Sequence, residues 1–75
     1  MNLNAVRDSY IKEFEAHFPN AKLETRWGKQ KDLTVLHVSI NGDRQEPLTI
    51  DQTITAIATF QERGRPVTKK GVVLP

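Results

Sequence analysis

Cysteine is absent, so the chain has neither a disulfide framework nor a thiolate nucleophile, and its 75 residues must hold together by packing. Long apolar runs are absent as well. No stretch of about 18 apolar residues is present to span a bilayer. The first residues, with Arg7 and Asp8 inside an amphipathic segment, have no apolar stretch of the kind a secretory leader carries. No membrane association and a cytoplasmic location are therefore expected, and the missing cysteine agrees with a reducing compartment. Internal repeats and low-complexity segments are lacking. The four glycines, at 28, 42, 64 and 71, are isolated, which excludes a glycine-rich phosphate loop. A chain of this length buries only roughly 60–65% of the surface its unfolded form exposes, which is enough for one small core and not for a second domain.

Charge is abundant, at 27% of residues, yet nearly balanced: eleven basic against nine acidic side chains leave a net of +2. The distribution is uneven. From Glu62 to Lys70, Arg63, Arg65, Lys69 and Lys70 face one acid, a local +3. From Lys22 to Asp32, Lys22, Arg26, Lys29 and Lys31 face Glu24 and Asp32, a local +2. Everything else is acidic, with a net of −3. Two basic segments thus sit on a mildly acidic body.

Residues 3 to 18 read as a helix. Leu3, Val6, Tyr10, Ile11, Phe14 and Phe18 recur at three- and four-residue spacing, with Asn2 or Asn4 as cap and Pro19-Asn20 as stop. Ala21, Leu23, Thr25 and Trp27 then alternate with polar residues as in a half-buried strand, and Gly28 to Asp32 are expected to turn. Leu33 to Ile40, rich in β-branched residues, suits the middle of a sheet, with Leu36, Val38 and Ile40 on one face and Leu33, Val35 and His37 on the other. Asn41-Gly42 is a strong hairpin signal, because both residues tolerate positive φ. A short third strand is expected near Arg44 to Leu48, at an edge because Pro47 has no N–H. Thr49-Ile50-Asp51-Gln52 fits a capping box for a second helix with an apolar stripe of Ile50, Ile54, Ile57 and Ala58, flanked by Phe60 and ending near Arg63.

The expected fold is α+β in two layers: helix, antiparallel sheet of two or three strands, helix, both helices on one sheet face. Residues 1–63 form the domain, and 64–75 a basic tail, either flexible or adding a strand through Val72, Val73 and Leu74. The expected core holds Val6, Tyr10, Phe14, Phe18, Leu23, Trp27, Leu36, Val38, Ile54, Ile57 and Phe60.

Catalytic parts are few. Only Ser9 and Ser39 are serines, and His17 and His37 are the only histidines that could act as a base. His37 and Ser39 are side by side on one strand face, without the third group that would orient a nucleophile and its base. Glu13 and His17 share a helix face, but two ligands do not make a metal site. Asp43 and Glu46 flank a turn, where carboxylates serve solubility. No enzyme, cofactor or metal is expected.

Arg63-Gly64-Arg65-Pro66 resembles the AT-hook core, R-G-R-P, in which an extended backbone lies in an A·T-rich minor groove and the arginines enter on either side of the glycine. The resemblance covers four residues, and Glu62 stands where that family usually has proline. It implies double-stranded DNA as partner, with Arg63, Arg65, Lys69 and Lys70 as its contacts. Arginine, glycine and proline in this order also make an ordinary helix ending. In the other basic segment, Lys22, Arg26, Lys29 and Lys31 surround Trp27, a pattern that suits single-stranded nucleic acid if the indole is exposed and a core edge if it is not.

The leading expectation is a small non-enzymatic nucleic-acid-associated protein of the type phages and plasmids encode, binding DNA through the tail and the first hairpin. The alternative is a protein-interaction module or host-directed inhibitor, as a single chain or a homodimer, using an edge strand or the tail. A third reading is structural, since the element order and tail look like the small head-to-tail joining protein of lambda-like phages.

Overall fold

Apolar residues along one face fix the first helix, α1 (Leu3–His17). The Asn2 side chain accepts the Ala5 N–H at 3.2 Å and so satisfies one of the donors that a helix start leaves open. At the other end Pro19 disfavours helical geometry in Phe18, whose N–H closes back on the Phe14 carbonyl at 2.8 Å. The computed structural model describes residues 1–63. The tail and the strand expected at Val72 to Leu74 lie outside the described residues.

Strands β1 (Leu23–Gln30) and β2 (Leu33–Ile40) form an antiparallel hairpin in which Leu23 pairs with Ile40 and Gln30 with Leu33. The turn is shorter than expected. Gly28, Lys29 and Gln30 continue β1 opposite Val35, Thr34 and Leu33, and only Lys31 and Asp32 turn, with Lys31 at φ 56. An eight-residue partner offers ladder hydrogen bonds along its whole length, and these outweigh the local tendency of Gly28 to turn. The second hairpin is as expected: Asn41 and Gly42, at φ 54 and 83, join Ile40 directly to Asp43.

The third strand consists of two pieces, β3 (Asp43–Arg44) and β4 (Leu48–Thr49), both paired with β2. Arg44 stands opposite Ser39 and Leu48 opposite Leu36, so Gln45, Glu46 and Pro47 face only His37 and Val38. One extra residue makes a bulge. Pro47 has no N–H for a continuous ladder, whereas Gln45 keeps a bond to the Val38 carbonyl at 2.8 Å.

Helix α2 (Ile50–Arg63) starts on the expected capping box. Thr49 Oγ1 accepts the Gln52 N–H at 3.1 Å, and Gln52 Oε1 accepts the Thr49 N–H at 2.9 Å. Its buried face differs from the expected stripe. Ile54 is 40% exposed and Ala58 is exposed, while Thr53, Ala56 and Phe60 are buried and Ile57 is half-buried. Phe60 sets this rotation by packing edge-on against Tyr10 and Phe14, with ring centres 5.9 Å away in each case. Thr53 tolerates full burial because its hydroxyl donates to the Thr49 carbonyl at 2.8 Å.

Both helices lie on the face of the sheet that carries Leu36, Val38 and Ile40, called inner below. These residues join Tyr10, Phe14, Leu48, Ala56 and Phe60 in one core, with Phe18, Leu23, Trp27 and Ile57 at its rim. Two bonds tie α1 to β1: Arg7 Nε–H donates to Thr25 Oγ1 at 2.8 Å, and the Trp27 indole N–H to the Leu3 carbonyl at 3.0 Å. Among the described residues no helix is long and apolar enough to cross a membrane.

Candidate nucleic-acid interface

Strand alternation sends every second side chain to the outer face, which neither helix covers. Pairing across β1, β2 and β3 places Glu24, Ser39 and Arg44 in one row, and Arg26 beside His37 in the next. These five line a hollow of about 300 Å³. Among the described residues the backbones of Arg26 and Arg44 pair with His37 and Ser39 in the sheet, while neither guanidinium is hydrogen-bonded or ion-paired. Two guanidiniums, an imidazole and a hydroxyl therefore converge, with Glu24 as the one carboxylate among them. Five fixed N–H donors on each arginine suit phosphate oxygens.

Gly28 shapes this surface. A Cβ built there would fall 2.7 Å from His37 Nε2 and 2.8 Å from its Cδ2, so glycine leaves the space the imidazole occupies. Val35, between Gly28 and Thr49 on the same face, is 2% exposed.

Only part of the first basic segment assembles with this hollow. Lys22 lies next to it, its backbone tied to Asn41 by bonds of 2.8 and 2.9 Å. Arg26 lines it. Lys29 has the opposite parity, and Lys31 sits in the far turn, about 30 Å from Lys22 at the ordinary rise of a strand. The four cations thus form a line along one strand and not a patch. Trp27 is half-buried at the core rim with its indole N–H bonded to Leu3, so it is a core-edge residue and no exposed stacking platform.

The second basic segment starts at the same end of the molecule as Lys22. His17 Nε2 is 3.0 Å from the Phe60 carbonyl and its ring stacks on Phe60, which holds the last turn of α2 beside the loop that leads into β1. Arg63 is the final residue of α2, whereas an AT-hook core is extended through both arginines. Arg65, Lys69 and Lys70 lie outside the described residues. Residues 1–63 carry eight basic and nine acidic side chains, and residues 64–75 carry three basic and none acidic.

The remaining candidates separate. Asp43 is exposed beside the Asn-Gly turn, and Glu46 belongs to the bulge. His17 bonds to α2 and not to Glu13. Among the described residues no three His, Asp or Glu side chains converge in a way that would hold a metal ion. Arg44 is the residue that sequence reasoning missed. Its signal was present, because an Asn-Gly turn fixes Ser39 opposite Arg44 once the hairpin register is counted outward. No protein-family model matches the chain, and searches of curated proteins and of solved structures found no match either.

Proposed function

We propose that this protein is a small non-enzymatic nucleic-acid-binding protein that engages the phosphate backbone with the outer sheet face and the basic tail together. The observation that carries this reading is the pair of arginines, Arg26 and Arg44, that meet on the face free of helices without a carboxylate bound to either. Buried or paired arginines would serve the fold. Unpaired ones facing a polar hollow are free to bind a ligand, and a phosphate oxygen matches their geometry. Two further features support it. Helix α2 ends, at Arg63, at the pole where Lys22 and Arg44 lie, and the net charge of residues 1–63 is only −1, so a local cationic surface is not cancelled by a strongly acidic body.

Phosphate contacts release counterions, so affinity should fall steeply with salt. About four contacts imply a slope near −3 to −4 in log affinity against log salt on duplex DNA. The test is a salt series on A·T-rich duplex, G·C-rich duplex and single strands. A preference for A·T-rich duplex assigns Arg63-Gly64-Arg65-Pro66 to the minor groove, and equal affinities assign the tail to phosphates. Absence of binding at low salt removes the proposal.

A further inference from the structure

Among the described residues, strand β1 is hydrogen-bonded on one side only, to β2. Within that pairing its even-numbered residues face β2 with their N–H and C=O groups. The Lys22 carbonyl receives the Asn41 N–H at 2.8 Å, and the two-residue turn closes on Gln30 and Leu33. Leu23, Thr25, Trp27 and Lys29 therefore turn theirs outward, along an edge with neither proline nor bulge to protect it.

A second copy of the same edge can pair with it antiparallel about a two-fold axis, and the side chains distinguish between registers. With the axis at Glu24, the two Glu24 carboxylates meet and Lys22 faces Arg26. With the axis at Arg26, the two guanidiniums meet. At Trp27, Arg26 faces Gly28 and Glu24 faces Gln30, and no charges pair. With the axis at Thr25, Glu24 of each copy faces Arg26 of the other on the outer side, and Leu23 of each faces Trp27 of the other on the inner side. An axis at Leu23 would also pair opposite charges twice, Glu24 with Lys22, but it lies at the first residue of β1 and leaves the rest of the strand unpaired; the Thr25 axis keeps the pairing inside β1 and sets Leu23 against Trp27, two half-buried rim residues of the core.

We propose that the protein forms a two-fold homodimer through antiparallel pairing of β1 with β1 of a second copy, with Thr25 at the axis and reciprocal Glu24–Arg26 pairs. The occupant of the edge is another copy because the strand is complementary to itself in charge and in apolar content. A guanidinium has five N–H donors, so Arg26 can hold Glu24 of the second copy and still offer donors to a phosphate; the dimer does not require nucleic acid, and the test is made without it.

Glu24 and Arg26 are both exposed in the single chain, so changing either leaves the fold intact, as circular dichroism will verify. In sedimentation equilibrium the wild type should self-associate. Glu24→Arg places arginine against Arg26 of the partner, and Arg26→Glu places glutamate against Glu24. Each should raise the dissociation constant by about 10- to 100-fold. An equimolar mixture of the two variants restores opposite charges at every position and should form the heterodimer. A wild type that stays monomeric at high micromolar concentration overturns the proposal. So does a mixture that fails to associate, or variants that dimerise as the wild type does.

Discussion

Phe14 is completely buried and touches three other aromatic rings, those of Tyr10, Phe18 and Phe60. Phe14→Ala should cost on the order of 3–5 kcal/mol, most of the stability of so small a domain. A melting temperature within a degree or two of wild type would contradict this. Tyr10 is the only tyrosine, and burial pushes its phenol up to about 12 from the ordinary 10.0. The folded chain therefore binds this proton more tightly than the unfolded one. The contribution is fully present below pH 10, is lost as pH rises towards 12, and amounts to roughly 2–3 kcal/mol. Denaturant unfolding across that range should show a steeper loss for wild type than for Tyr10→Phe, which lacks the titrating group. Equal slopes would mean that the phenol ionises freely in the folded state.

At the level of elements, the capping box at Thr49 and Gln52 was legible because it needs only two residue types at fixed spacing. The Asn-Gly hairpin was legible for the same reason. The rotation of α2 was not, since Ile54 and Thr53 are neighbours and hydrophobicity alone favours burying the isoleucine. A tertiary contact, Phe60 against α1, decides otherwise, and the threonine hydroxyl is satisfied within its own helix. The extent of β1 was misread at Gly28 because strand length depends on the partner. Arg44 joined the hollow only when the register was counted across two hairpins. Thr49→Ala removes the hydroxyl that caps Gln52 and should destabilise the domain by about 1 kcal/mol. Chemical denaturation measures it, and no change would show that Gln52 alone secures the helix start.

For the whole molecule, helices on one side of the sheet leave the other side to display charge, and the order of elements puts the start of β1, the Asn-Gly hairpin and the end of α2 at one pole. That arrangement joins Lys22, Arg26 and Arg44 to the root of the basic tail, while Lys29 and Lys31 point to the opposite pole. The basic tail was legible as composition, but the outer face was not, because it exists only once three chain segments are aligned.

The most direct test is the salt dependence of DNA affinity, by fluorescence anisotropy, for wild type and for Arg26→Ala/Arg44→Ala. Both residues are exposed, so the double variant should fold as wild type does. Removing two phosphate contacts should weaken binding at low salt and make the slope shallower by about 1.8, at roughly 0.9 for each contact on duplex. A double variant with unchanged affinity and slope would contradict a role for the outer face in binding nucleic acid.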